Sequence, residues 1–138
     1  MNIGHEMSLL EKLDISRNFL NGSIPPSMSR MASFSFLHLS SNHLSGALPT
    51  NWQALQGLTV IDLSCNNLSG RIPSSMWLSP SLIWLKLRNN DLYGKLSSTL
   101  QKCTGLFALD LGGDKFFGAI PNLITFQIST INPACAIL

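Results

Sequence analysis

The sequence predicts an α/β solenoid. Short parallel strands stack into one concave sheet, and short helical or 3₁₀ segments return along the convex side. Three observations predict it. A 24-residue pattern recurs five times in register within the 138 residues. In each copy one stretch alternates apolar and outward residues at period two, the mark of a strand with a single buried face. A fixed amide and then a fixed glycine follow that stretch, where the chain must turn. Only the last copy departs, with an aspartate for the amide.

Each copy opens with a large apolar residue: Leu10, Phe34, Leu58, Leu82 and Leu106. Leu13, Leu37, Ile61, Leu85 and Leu109 follow, then Ile15, Leu39, Leu63, Leu87 and Leu111. These columns predict strands stacked in parallel about 4.8 Å apart. Asn18, Asn42, Asn66 and Asn90 form the amide column, with Asp114 at its end. A buried amide offers donors and an acceptor to backbone groups that a turn leaves unpaired. Asp114 lacks the donors, so the fifth turn should be the weakest. Leu20, Leu44, Leu68, Leu92 and Phe116 come next, then Gly22, Gly46, Gly70, Gly94 and Gly118, where glycine permits unusual backbone angles. The copies close on Ile24-Pro25, Leu48-Pro49, Ile72-Pro73, Leu96-Ser97 and Ile120-Pro121. This is the leucine-rich-repeat pattern.

The return segments carry columns of their own. Met28, Trp52, Met76, Leu100 and Ile124 form one; Met31, Leu55 and Cys103 form another, with Ser79 as a gap. Their spacing of three predicts one helical or 3₁₀ turn per copy. Cys103 is expected to be a buried small hydrophobe. Residues 1–9 read as the tail of a preceding copy, since Met7 falls in the Met31 column. Residues 10–124 are the five repeats, and residues 125–138 lie outside the pattern.

Composition excludes several classes. Net charge is +2 and the nine Lys and Arg are scattered, unlike a nucleic-acid footprint. No apolar run is long enough to span a bilayer, and MNIGHEMSLL is not a signal peptide. Three cysteines without paired spacing give no disulfide framework. No metal-ligand spacing, phosphate loop or kinase signature is present, so no metal or cofactor is expected.

The G-x-I-P endings GSIP, GALP, GRIP and GAIP mark the plant-type repeat. With LDISRNFLNGSIP, IDLSCNNLSGRIP, LKLRNNDLYGKL, LQKCTGL and LDLGGDKFFGAIP, the chain resembles plant leucine-rich-repeat receptor-like proteins over about residues 3–124. The resemblance is to the branch that includes the fungal-xylanase receptors of tomato. It implies a plasma-membrane glycoprotein that recognises a peptide, protein or saccharide outside the cell. Such a protein signals in defence or development with kinase co-receptors and has no enzymatic activity. Against that pattern, the chain shows neither signal peptide nor membrane helix. A soluble wall-associated inhibitor of microbial enzymes, built from the same repeat, is the rival reading. A non-functional truncated gene product is the third.

Candidate sites follow from the strand register. One outward column on the concave face reads Lys12, Phe36, Val60, Trp84, Ala108, and its apolar middle suggests partner contact. The next reads Asp14, His38, Asp62, Lys86, Asp110, beside Ser16, Ser40 and Ser64. A Ser/His/Asp set on an open sheet has no oxyanion hole or dry cleft, so a charge ladder is the expected reading. Asn21-Gly22-Ser23 and Asn67-Leu68-Ser69 are glycosylation sequons, placed on turns. Cys135-Ala136-Ile137-Leu138 matches the C-a-a-X prenylation box, without the polybasic run that would give a second anchor.

Overall fold

The computed structural model describes residues 7–96, 100, 103–118 and 127–128. Its concave sheet is built from β1 (Lys12–Asp14), β3 (Phe36–His38), β5 (Val60–Asp62), β7 (Trp84–Lys86), β9 (Ala108–Asp110) and β11 (Gln127–Ile128), in that spatial order. Neighbours from β1 to β9 pair in parallel between equivalent residues of successive copies, as Leu37 with Ile61 and Ile61 with Leu85. The period-two pattern works as expected. Leu37, Ile61, Leu85 and Leu109 are buried at the centres of their strands, and Leu13 is half-buried. The sequence pattern assigned no strand beyond residue 124. The structure adds β11 there, pairing Gln127 with Ala108, outside the 24-residue register.

A second sheet departs from expectation. The stretch around the glycine column was predicted only as a turn. It forms β2 (Asn21–Gly22), β4 (His43–Ala47), β6 (Asn67–Gly70), β8 (Asp91–Lys95) and β10 (Lys115–Phe117), again all parallel. The physical reason is a second, shorter alternation. Leu44, Leu68 and Leu92 are buried between outward neighbours and anchor their strands to the core. The glycines then bend the strands, with Gly46 at φ +79° and Gly70 at +84°. Asn21 and Asn67 therefore begin strands β2 and β6 rather than sitting on turns, though both remain exposed.

The amide column is the ladder that joins the two sheets. Asn66 Nδ2 donates to Leu39 O (3.0 Å), Leu63 O (3.1 Å) and Ser64 O (3.2 Å), and Asn66 Oδ1 accepts from Leu44 N (3.0 Å). Asn42 and Asn90 repeat this set one copy earlier and one later. Asn18 does not match the expectation of burial. It is exposed, and its amide reaches only Ile15 O and Ser16 O within its own turn. Just before the amide, the chain passes through left-handed backbone: Arg17, Ser41, Cys65 and Asn89 lie at φ +54° to +57°, and Gly113 at +77°. Arg17, Ser41 and Cys65 are residue types that resist that conformation, while Asn89 tolerates it; each of the four donates its backbone N–H to a carbonyl of the next copy, which helps hold the turn.

The return segments are 3₁₀ turns at Pro26–Arg30 and Trp52–Ala54 and one α-helical turn, α1 (Ser74–Trp77). Met28, Trp52, Met76 and Leu100 of the first column and Met31, Leu55 and Cys103 of the second are buried, whereas Met7, which falls in the second column, is exposed. Ile124 lies outside the described residues. The third segment differs, since α1 also buries Trp77 and leaves Leu78 exposed. Cys103 is a free thiol, and burial raises its pKa. Cys65 is disulfide-bonded, which the odd cysteine count gave no way to read. Among the described residues no helix is long and apolar enough to cross a membrane.

Candidate functional site on the concave sheet

Parallel register places Phe36, Val60 and Trp84 side by side on β3, β5 and β7. Their strands are anchored by buried Leu37, Ile61 and Leu85, so the three side chains face away from the core. Phe36 and Val60 are half-buried, and Trp84 is 43% exposed. They line a depression of about 250 Å³ together with His38, Ile61, Asp62 and Lys86. Lys86 Nζ lies over the Trp84 ring, 4.7 Å from its centroid, and Phe36 meets His38 edge-on at 6.2 Å. Cation–ring and edge-on contacts of this kind hold aromatic rings in place without burying them.

The charged column runs beside this stripe. His38 sits between two carboxylates, with Nδ1 3.2 Å from Asp14 Oδ2 and Nε2 3.5 Å from Asp62 Oδ2. Ser16 donates its N–H and its hydroxyl to Asp14 Oδ1 at 3.0 and 2.7 Å. Ser64 does the same for Asp62 at 3.1 and 2.5 Å. Asp110 accepts from Gly112 N at 3.1 Å and from Arg88 Nη1 at 3.3 Å. The pKa of Asp14 is lowered, first by the Ser16 hydroxyl, then by the Ser16 N–H, with the charge of His38 adding to both. Each aspartate in this column thus closes a small turn at the end of its strand.

One arrangement calls for a chemical test. Ser40 Oγ is 2.8 Å from His38 Nε2, and the other ring nitrogen meets Asp14, the order a hydrolytic triad uses. A triad also needs N–H groups free to receive an oxyanion. The N–H after Ser40 is already committed, since Ser41 N donates to Ser64 O at 2.9 Å. Ser40 itself is buried, and the neighbouring Ser and Asp pairs repeat the same turn without a histidine. The arrangement is a strand-end turn with an imidazole bridging it.

Sequence reasoning missed two neighbours of the stripe. Ile83 and Phe107 are exposed, Phe107 by 67%, and Phe107 N donates to Ile83 O at 2.8 Å. They are exposed apolar side chains one position before the stripe's column and do not line the depression. The signal was present: the column Glu11, Ser35, Thr59 turns apolar at Ile83 and Phe107. A larger hollow of about 730 Å³ lies between the first two return segments, lined by Ser27, Arg30, Pro49 and Asn51 among others. Among the described residues no cluster of His, Cys, Asp and Glu could hold a metal ion. The prenylation candidate Cys135 lies outside the described residues.

Residues 9–31, 33–55 and 57–78 match the family model of the Leucine Rich Repeat. The plant peptide hormone receptor RGFR1, solved in complex with RGF2, is 36% identical with a TM-score of 0.80, over 83% of this chain and 18% of that one. The Arabidopsis receptor kinase HAESA, solved with the peptide hormone IDA and the co-receptor SERK1, is 33% identical with a TM-score of 0.78, over 81% and 19%. The ectodomain of the receptor kinase SOBIR1 from Arabidopsis thaliana is 30% identical with a TM-score of 0.77, over 86% and 64%. The chain thus spans under a fifth of the first two and less than two thirds of the third. No curated protein matches it. With its repeats, its two parallel sheets and its amide ladder in place, the chain belongs to the leucine-rich-repeat proteins, and the ectodomains of plant receptors are the solved structures it resembles.

Proposed function

We propose that the chain is a non-catalytic recognition scaffold of a plant cell-surface receptor-like protein. It takes a peptide or protein ligand on the concave sheet and acts with a kinase co-receptor in defence or developmental signalling. The observation that carries this is the partly exposed stripe of Phe36, Val60 and Trp84 across three adjacent strands, lining a depression. A solenoid sheet could fill that column with polar residues at no cost to its core, so a contiguous apolar stripe there reads as a contact surface. Two of the similar structures were solved with peptide hormones, which supports a peptide as the ligand class. The rim of Lys12, Asp14, His38, Asp62 and Lys86 would set orientation and register more than affinity.

The test is a panel of synthetic plant signalling peptides titrated against the chain, with each binder measured again on Trp84→Ala and Phe36→Ala. Trp84 sits where a hot spot is expected, so its loss should weaken binding by about 2 kcal/mol, roughly 30-fold in Kd. Melting should not change, because no core cavity opens. Binders indifferent to both variants would move the site off the concave face. Loss of folding would mean that these side chains belong to the core.

A further inference from the structure

We infer that Asp114 is a proton-operated staple for the fifth turn. When its free oxygen carries a proton it donates to backbone carbonyls as the ladder asparagines do. When the proton leaves, that half of the ladder rung opens.

The argument starts from the other rungs. Each described ladder amide from Asn42 to Asn90 has two halves. Its oxygen accepts an N–H from the residue 22 places earlier, and its nitrogen donates to carbonyls 27, three and two places earlier. Asp114 keeps the first half. Its Oδ1 accepts from Leu92 N at 3.1 Å and also from Asn90 N at 3.2 Å. The second half is empty: Oδ2 is buried and has no hydrogen-bond partner. By the repeat, the groups opposite it are the carbonyls of Leu87, Leu111 and Gly112. A carboxylate oxygen has nothing to give those acceptors, whereas a carboxylic acid has one O–H.

The surroundings favour the acid. Burial is the largest cause and pushes the pKa up to about 7, against the pull of the Leu92 and Asn90 N–H groups. Asp110 and Asp91 push the same way. Each of these carboxylates already holds a cation, Arg88 on Asp110 and Lys115 on Asp91, and Lys95 lies at the far end of β8. The sign follows from the raised value. Between the ordinary carboxylate value of 3.8 and about 7 the folded state binds more protons than the unfolded chain, so this stability is full only below that window, falls through it, and is level above about 7. Leu87 follows β7, and Leu111 and Gly112 follow β9, so the element the proton controls is the fifth turn, where the chain leaves the concave sheet for β10.

The test uses the full chain and Asp114→Asn, which restores the missing amide. One measurement follows the Asp114 side-chain carboxyl carbon by NMR against pH; the other follows melting between pH 5.5 and 8.5. A carboxyl midpoint near 7 is expected, with wild-type melting falling by roughly 5 °C or more across the window. Asp114→Asn should melt at the same temperature throughout and exceed wild type at the alkaline end. A carboxyl midpoint in the ordinary range overturns the inference. So does a fall in melting from pH 5.5 to about 7 that survives Asp114→Asn unchanged.

Discussion

Replacing Asn66 with alanine removes a rung from the middle of the amide ladder, and the structure sets the size of the loss. Four contacts disappear, but they are not equal. The carbonyl of Leu39 keeps the amide of Asn42, and the carbonyl of Leu63 keeps that of Asn90. Leu44 N–H loses its Asn66 acceptor, on a residue that is itself buried. One orphaned buried donor costs about 1–3 kcal/mol, while a carbonyl that keeps a partner costs much less. The expected penalty is therefore about 2 kcal/mol rather than a sum over four bonds, a melting shift of roughly 6–10 °C. Asn67→Ala is the matched control. Asn67 is exposed at the start of β6, so in unglycosylated protein its loss should fall within about 0.5 kcal/mol of zero. Thermal and urea melts of both variants decide the matter. Equal losses at the two positions would refute the ladder as the element that holds the sheets together.

Two further outcomes follow from the same geometry. Gly113→Ala should destabilise by about 1–3 kcal/mol in a denaturant melt, because Gly113 lies at φ +77° and a Cβ there would collide with Asn89 Oδ1. Cys103 should resist alkylation in the folded chain and react on unfolding. Burial both hides the thiol and raises its pKa, so mass spectrometry after a short iodoacetamide pulse should find it unmodified in native protein.

The concave sheet was legible because its signal is redundant. Leu37, Ile61 and Leu85 recur at a fixed interval, and one register fixes both the core and the outward columns Phe36–Val60–Trp84 and His38–Asp62–Lys86. The second sheet was not legible because its alternation is short. His43–Ala47 has one strongly apolar anchor, Leu44, and a glycine at positive φ that argues for a turn. The left-handed column was hidden for a different reason. Arg17, Ser41 and Cys65 carry no side-chain signature of that conformation, and only Asn89 and Gly113 are residue types that favour it. The hydrogen bonds of Asp14 and Asp62 to the serines two residues on were also missed. Asp-x-Ser was read there as part of a charge ladder, although it is a common turn former.

The two outward columns differ in what the fold asks of them. Asp14, Asp62 and Asp110 hold strand-end turns, and His38 ties Asp14 to Asp62, so changes there disturb backbone geometry. Phe36, Val60 and Trp84 stand outside that hydrogen-bond network, on strands whose register is set by the buried residues next to them. A contact surface made of that column can change its shape and chemistry without changing the solenoid. Lys86 belongs with the free column although it sits in the other one. It closes no turn like its aspartate neighbours, and its ammonium lies over the Trp84 ring at the edge of the depression. A partner that displaces it from that ring meets a cation and an indole face together. In the proposed concave site, that pairing would make the Trp84–Lys86 end of the stripe the place where apolar contact and charge selection coincide.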